Sequence, residues 1–275
     1  MDKKFITSLI IIILLIGALF AFNKFSYNQD TREQNYMPNN QSSNIKNNIS
    51  GVQITPIEHA TMVLKWNGKV IYTDPVYPES GAIAFVGQPA PDLILITDIH
   101  SDHLNIETLK GVSKEKTIIV APKAVADMLP TGVEALPGTL VILGNGQMTD
   151  ELGFNIEAIP MYNLPEKPDA YHTKGRGNGY VVEALGERVY ISGDTSDIPE
   201  MRNLKNIDIA FVCMNLPYTM SVESAASGVL AFKPKHVYPY HYKGTDGLSD
   251  INKFKELVNK GDPNIDVVLL NWYPN

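Results

Sequence analysis

Two histidines and two aspartates fall within six consecutive positions of the sequence, at Asp98, His100, Asp102 and His103. They directly follow the apolar run Leu93–Thr97, which is typical of a buried strand. A loop at the end of a strand can direct several side chains towards one centre, which a continuing strand or helix could not do for all four. Imidazole and carboxylate together suit zinc, manganese or iron. This loop therefore predicts a metal site.

Two further candidate ligands also follow predicted strands. Asp194 follows the strand predicted at Arg188–Ser192, and His241 follows the strand predicted at His236–Tyr240. Taken alone, Asp194 is readily explained as a turn residue and His241 as a half-buried imidazole. Taken with the first loop, they predict that three strands deliver ligands at their carboxyl ends, where loops gather over one edge of the sheets.

The elements that must position these residues lie between residues 51 and 275. Hairpins come first, beginning with a tight turn at Asn67-Gly68, and alternating strands and helices follow. The helix predicted at Val222–Phe232 has Ser221 as its N-cap. This order favours an α+β domain with two sheets covered by helices over a doubly wound parallel sheet or a plain β-sandwich.

Composition limits the function classes. The 275 residues carry a formal net charge of −7, which argues against a general nucleic-acid binder because such a protein needs a basic face. The single cysteine, Cys213, excludes an intramolecular disulfide and an all-thiolate metal cluster, so histidines and carboxylates must hold any metal. We expect Cys213 to be a buried strand residue rather than a nucleophile.

The N-terminal segment Phe5–Phe22 contains no charged residue and follows Lys3 and Lys4. As a helix it is just long enough to cross a bilayer, and the lysines favour the cytoplasmic side. We therefore expect residues 1–22 to be a transmembrane anchor, with a cleaved signal peptide and secretion as the alternative. Residues 23–50, rich in Asn, Gln and Ser, are predicted to be a disordered linker that holds the domain of residues 51–275 on the extracytoplasmic side of the membrane.

The string Thr97–His103 resembles the Thr-His-x-His-x-Asp-His loop of the metallo-β-lactamase superfamily. Gly193-Asp194-Thr195 and Pro239-Tyr240-His241 resemble the later ligand motifs of that superfamily. Glu58-His59-Ala60 and Tyr72-Thr73-Asp74-Pro75 resemble the opening hairpins of its branch of ascorbate-phosphate lactonases and N-acyl phosphatidylethanolamine phospholipase D relatives. The resemblance covers residues 52–270. It implies an αββα four-layer sandwich, the metallo-β-lactamase fold, with a metal site at its edge.

The sequence departs from the family pattern at Asp98, which stands where the first histidine of the loop normally is. The resemblance assigns a first metal ion to Asp98, His100 and a third ligand from the middle of the chain. Asn163 and His172 are the candidates for that third ligand. The remaining alternative is that the third ligand is missing. A carboxylate in place of an imidazole shifts the expected metal preference towards manganese or iron.

The resemblance assigns a second metal ion to Asp102, His103 and His241, with Asp194 bridging both ions. We therefore expect one or two divalent metal ions, zinc, manganese or iron, holding a hydroxide at neutral pH. Asp102 and Asp194 are the predicted catalytic residues, with Asp102 as a proton shuttle if the second ion is absent. Asp74 is expected to orient a metal ligand through a hydrogen bond.

The resemblance implies a metal-dependent hydrolase that acts on an ester, lactone or phosphodiester bond of a small-molecule or lipid substrate, with no nucleic-acid partner. A catalytically decayed metal-binding or scaffold protein and a redox protein with iron remain alternatives. Lys174 and Arg176 could pair with a phosphate or carboxylate, or belong to a solvated loop. The predicted substrate contacts are His59, Tyr162, Lys174, Arg176 and Asn215.

Overall fold

The structure is a computed structural model that describes residues 48–77, 85–132 and 135–273. The predicted anchor of residues 1–22 and nearly all of the predicted linker of residues 23–50 lie outside these ranges. Within them, no helix has the length and apolar character needed to cross a membrane. On that finding, the predicted membrane-anchored, extracytoplasmic location is wrong.

The first half of the domain forms a seven-stranded sheet whose strands follow the order of the chain. The first four strands pair antiparallel, and the fourth to the seventh pair parallel. The elements are β1 (Asn48–Ile49), β2 (Val52–Glu58), β3 (Thr61–Trp66), β4 (Lys69–Thr73), β5 (Leu93–Leu95), α1 (Ile106–Val112), β6 (Ile118–Ala121), α2 (Lys123–Ala126) and β7 (Thr139–Ile142).

The second half forms another seven-stranded sheet and a small hairpin. Its elements are β8 (Met148–Glu151), β9 (Phe154–Met161), β10 (Gly177–Ala184), β11 (Glu187–Ile191), α3 (Pro199–Arg202), β12 (Ile209–Cys213), α4 (Val222–Phe232), β13 (His236–Tyr240), β14 (Lys243–Gly244), β15 (Gly247–Leu248), α5 (Ile251–Gly261) and β16 (Asp266–Val267). The sheet order is β16-β13-β12-β11-β10-β9-β8. β8 to β11 pair antiparallel, and β11, β12, β13 and β16 pair parallel.

The two sheets share one apolar core, to which Leu64 of the first sheet and Tyr180 of the second both belong. Val229 of α4 and Phe254 of α5 extend this core over the outer face of the second sheet. A separate cluster, which includes Leu109 of α1, covers the outer face of the first sheet. Each fully buried apolar side chain of this size contributes about 1.5–3 kcal/mol. The layers are therefore helix, sheet, sheet and helix, which confirms the predicted sandwich.

The two sheets come close together where β10 begins and β11 ends. The Asn178 N–H donates to the Thr97 carbonyl at 2.9 Å. A Cβ at Gly177 would lie 2.8 Å from the Thr97 carbonyl oxygen, and one at Gly193, where φ is +58°, would lie 3.3 Å from the Thr97 Cβ. Glycine at both positions lets the loops that follow β5 and β11 face each other across the sheet edge.

Several elements differ from the sequence prediction. β5 ends at Leu95, two residues earlier than the predicted strand. Ile96 still donates to the Val120 carbonyl of β6, but the Thr97 N–H leaves the sheet and donates to the Asp74 carboxylate at 2.7 Å. Asn48–Ile49, placed in the predicted linker, pairs with β2. The edge strands β7 and β8 were not predicted, since most of their side chains are exposed and leave little alternation of apolar and polar residues.

Candidate metal centre

The predicted ligands converge at the edge where the parallel strands end. Asp98, His100, Asp102 and His103 lie in the loop after β5, Asp194 follows β11, and His241 follows β13. His172, from the long loop between β9 and β10, joins them. Loops from both sheets therefore build the site.

One group of side chains surrounds the inner part of the site. The Nε2 atoms of His103 and His241 lie 3.2 Å apart. The Asp194 carboxylate places Oδ2 at 3.4 Å from His103 Nε2 and Oδ1 at 3.3 Å from His241 Nε2. Asp102 Oδ2 lies 3.3 Å from His241 Nε2. These four residues are the set that the resemblance assigned to the second ion and the bridge.

A second group lies beside the first. Asp98 Oδ2 is 2.8 Å from His100 Nδ1 and 3.6 Å from His172 Nε2. His172 Nε2 is also 3.3 Å from Asp194 Oδ2, so the Asp194 carboxylate faces both groups. Of the two candidates for the third ligand, His172 is the one whose side chain reaches this position. The ligand atoms of Asp98, His100 and His172 lie close enough together to hold one ion.

Asn163 has a different place, behind His172. Its Oδ1 accepts a hydrogen bond from the His172 N–H at 2.8 Å, and its Nδ2 donates to the Tyr218 carbonyl at 2.9 Å. The same carbonyl lies 3.2 Å from His172 Nδ1. A proton on Nδ1 directed at this carbonyl leaves the Nε2 lone pair of His172 free to face the centre, as in metal-binding histidines generally.

Asp74 performs the corresponding role for His103. Its Oδ2 lies 2.8 Å from His103 Nδ1 and accepts a hydrogen bond from the Thr97 hydroxyl at 2.6 Å, while Oδ1 accepts from the Thr97 N–H. Asp74 is completely buried. The imidazole of His103 is therefore fixed with Nε2 towards Asp194, as expected from the sequence for Asp74.

Three residues around the site have left-handed backbone conformations, which cost residues other than glycine conformational free energy. They are His59 (φ 48°), Asp74 (φ 43°) and His241 (φ 45°). Each lies in the first turn after a strand, where a sharp change of direction brings its side chain over the sheet edge. Backbone strain of this kind concentrates at functional sites.

The polar atoms at the centre fit a metal ion. His172 Nε2 and Asp194 Oδ1 are both buried and have no hydrogen-bond partner. A buried polar group left without a partner costs about 1–3 kcal/mol. Cations between the two groups would satisfy both atoms, and an imidazole–carboxylate donor set suits zinc, manganese or iron.

The charges of the site favour cations as well. Burial disfavours charge at these positions, but the Asp194 and Asp74 carboxylates outweigh it and raise the pKa of His103 well above its usual value. Against the same effect of burial, Asp194 and Asp102 raise the pKa of His241 to about 9. Asp194 is buried too, yet the His241 and His103 rings lower its pKa well below the usual range. The Asp194 carboxylate thus stays ionised, and its negative charge favours a cation beside it.

A cavity of about 620 Å³ opens onto the site. Its lining residues are His59, His100, Ser101, Asp102, Tyr171, His172, Asp194, Asn215, Tyr218, His241, Lys243, Gly244 and Thr245. The rings of Tyr171 and Tyr218 pack edge to face, 5.0 Å apart, and contribute an aromatic surface. Both metal-ligand groups are therefore accessible from one opening.

The predicted substrate contacts divide into two sets. His59 and Asn215 line the cavity. Tyr162 and Lys174 do not, because Glu200 holds both: Lys174 Nζ donates to the Glu200 carboxylate at 2.9 Å, and the Tyr162 hydroxyl donates to it at 2.9 Å. The partner of Lys174 is distant in sequence, so no local pattern indicated the pair.

Arg176 also lies outside the cavity lining, paired with Asp98. Sequence reasoning missed Lys243 as a lining residue, although its position two residues after His241 was a usable signal. Cys213 is buried in β12, where burial raises its pKa to about 12, as predicted for a structural residue.

The αββα sandwich and the imidazoles and carboxylates at the ends of its strands are the features of a metal-binding hydrolase. A model of the beta-lactamase superfamily domain matches residues 53–241, and the chain belongs to this superfamily. The narrower branch expected from the opening hairpins is not confirmed.

Two relatives support the enzyme class. A protein of Thermococcus onnurineus is 29% identical over 212 residues, which are 75% of this chain and 92% of the relative. One of Lysinibacillus sphaericus is 29% identical over 216 residues, again 75% and 92%. Both are named metal-dependent hydrolases. The predicted class, a metal-dependent hydrolase of this fold, is therefore confirmed.

Solved structures agree with the fold. A crystal structure of a Parabacteroides distasonis protein has 39% identity and a TM-score of 0.69, covering 79% of this chain and 92% of its own. A metallo hydrolase of Ignicoccus hospitalis has 22% identity and a TM-score of 0.66, covering 80% and 95%, and supports the fold alone.

Proposed function

We propose that this protein hydrolyses an ester, lactone or phosphodiester bond of a small molecule with the help of two divalent metal ions. Asp98, His100 and His172 would hold the first ion, and Asp102, His103 and His241 the second, with Asp194 shared. The observation that carries the proposal is the Asp194 carboxylate, whose oxygens lie within 3.4 Å of imidazole nitrogens in both groups. When bound, the ions would polarise the scissile bond and lower the pKa of water to about 7.

The chain's own residues supply proton transfer and substrate contacts. The side chain of Asp102 is 42% exposed and lines the cavity, so its carboxylate can accept a proton from the attacking water if the second ion is absent. Burial and then the charge of His241 lower the pKa of His59 to about 4. His59 is therefore a neutral ring at pH 7 that can donate or accept a hydrogen bond with the substrate.

The cavity favours a small substrate with an apolar or aromatic part and an anionic group. Its volume is typical of small-molecule sites. The Tyr171–Tyr218 pair offers a flat apolar surface. Lys243 lines the cavity near His59 and, among the described residues, has no carboxylate partner in an ion pair, so its ammonium is available to an anionic group.

The test is metal analysis and turnover of the full chain. The protein is stripped with chelator, loaded with zinc, manganese or iron, and assayed on aryl ester, lactone and bis(4-nitrophenyl) phosphate substrates. Asp194→Asn should lose at least one equivalent of metal and at least about a hundredfold in kcat/KM. The matched control Asp127→Asn, at the exposed end of α2, should retain both because Asp127 pairs with Lys123 at the surface.

Two results would contradict the proposal. A wild-type chain that takes up no transition metal has no metal centre. A chain that binds metal stoichiometrically but turns over none of the three substrate classes supports the alternative of a decayed metal-binding protein. That alternative is suggested by Asp98, which stands in place of the usual histidine.

A further inference from the structure

Asp98 is completely buried, and Arg176 makes two hydrogen bonds to its carboxylate. Arg176 Nε donates to Asp98 Oδ1 at 3.1 Å, and Arg176 Nη2 donates to Asp98 Oδ2 at 2.9 Å. The same Nη2 donates to the Tyr171 carbonyl at 2.6 Å. Two parallel hydrogen bonds between a guanidinium and a carboxylate fix both charge and orientation, which a lysine could not do.

The guanidinium contacts both members of the Asp98–His100 pair but does not line the cavity. His100 presents Nδ1 to Asp98 Oδ2, whereas Arg176 Nη2 lies 3.4 Å from the other ring nitrogen, Nε2. Arg176 is absent from the cavity lining, and its side chain is 20% exposed. Its place is set by the start of β10, where the Asn178 N–H bonds to the carbonyl of Thr97, the residue before Asp98.

The charge of Arg176 offsets the charge that Asp98 introduces. Asp98 occupies the position where the resembling loop has a neutral imidazole, so the substitution adds one negative charge. Arginine is always protonated, and the Asp98–Arg176 pair is therefore neutral, like the imidazole it replaces. The carboxylate keeps Oδ2 directed at His172, whose Nε2 has no hydrogen-bond partner.

We propose that Asp98 and Arg176 act as one unit that replaces a histidine at the first metal position. Asp98 supplies the ligand oxygen, and Arg176 is a positioning residue that holds the carboxylate and neutralises it. Each ion then has two imidazoles, one terminal carboxylate and the shared Asp194. This inference rests on the proposed function, since it presupposes metal ions at the site.

Loss of Arg176 has a specific consequence for the first position. Asp98 Oδ1 would be buried without the Arg176 donor, and the carboxylate would be free to rotate away from His172. Loss of a residue that orients a ligand lowers metal affinity by about 10–100-fold. The second position should keep its affinity, because Asp74 and not Arg176 orients His103.

The experiment measures metal stoichiometry and affinity of the full chain by chelator competition with manganese and zinc, with elemental analysis. Arg176→Met should weaken one of two ions at least tenfold and leave the other within threefold. Arg176→Lys keeps the positive charge but cannot make the two parallel hydrogen bonds, so it should give an intermediate loss of metal affinity. This variant is used if Arg176→Met does not fold. Arg202→Met, which removes the Arg202–Asp197 ion pair of α3, is the matched control and should change neither affinity.

The rescue variant Asp98→His separates this role from a merely structural one. In that background the imidazole needs no counter-charge, and Arg176→Met should change metal affinity less than threefold. The proposal is overturned if Arg176→Met binds both ions as tightly as the wild type does. It is also overturned if Arg176→Met still lowers the metal affinity in the Asp98→His background. A second ion that binds only after Arg176 is removed also overturns it, since the guanidinium would then occupy the ion's place. A wild-type chain without any metal defeats the proposed function itself.

Discussion

Replacing Asp74 with asparagine tests how far the second metal position depends on a residue that does not bind the ion. Asp74 accepts three hydrogen bonds, from the Thr97 N–H, the Thr97 hydroxyl and His103 Nδ1, at 2.6 to 2.8 Å. Asparagine has the same shape and tolerates the left-handed backbone at this position. The substitution therefore changes the charge and one acceptor while leaving the fold of the turn intact.

The amide group introduced by Asp74→Asn must oppose a donor in either orientation. If its nitrogen replaces Oδ2, it faces His103 Nδ1 and favours a proton on Nε2, the atom directed at the centre. If its nitrogen replaces Oδ1, it faces the Thr97 N–H. At least one hydrogen bond to a charged acceptor is lost, worth about 1.5–3 kcal/mol. We expect the metal-free Asp74→Asn protein to lose about 2 kcal/mol of unfolding free energy, and the second ion to bind about 10–100-fold more weakly.

The assays are urea unfolding of the metal-free protein and chelator competition for the ion. Asp92→Asn is the matched control. Asp92 precedes β5 in the same sheet and accepts the Val70 N–H at 2.9 Å, at the end of the strands opposite to the site. It should lower stability without changing metal affinity. A metal affinity within threefold of wild type for Asp74→Asn would refute the reasoning, as would an equal loss of affinity in the control.

Two further predictions concern the metal and protons. Below pH 9 the His241 ring of the metal-free protein is protonated, so metal uptake must displace that proton. The His103 ring, whose pKa is also raised, must lose a proton too, so the apparent affinity should rise by at least about tenfold per pH unit between pH 7 and 9, and a constant affinity over that range would contradict this. Metal at a hundredfold excess over its Kd should add about 2.7 kcal/mol of stability. Calorimetry of chelator-treated protein should then show Tm about 5–10 °C lower, whereas an unchanged Tm would indicate no metal bound to the native state.

The site was predictable where its residues are contiguous. The loop from Thr97 to His103 carries its ligands in one short string, and the ends of β11 and β13 could be located from apolar runs. His172 could not be chosen over Asn163 from sequence, since both lie in a long loop without periodicity. The choice depends on the Tyr218 carbonyl, 46 positions away, which orients the His172 ring.

The fold was predictable where burial is periodic or a cap is present. The helix Val222–Phe232 has its predicted bounds, because the Ser221 side chain accepts the Ser224 N–H and caps its first turn. Pairings between distant charges left no such signal. Lys174 was expected at the substrate and instead bonds Glu200, and Arg176 was expected there and instead bonds Asp98. Both partners are identified only by the three-dimensional arrangement.

The left-handed backbone conformations of His59, Asp74 and His241 lower the stability of the folded protein but place side chains at the site. Glycine would adopt these conformations without the penalty of about 1–2 kcal/mol that a side chain incurs at each. The interleaved sheets supply the free energy that holds all three in place. At Asp74 the hydrogen bonds to Thr97 and His103 offset this penalty. Selection for heat resistance alone would favour replacing His59 and His241, whereas selection for turnover would retain them. Thermostability and catalytic competence are thus expected to diverge at these turns before they diverge anywhere in the core.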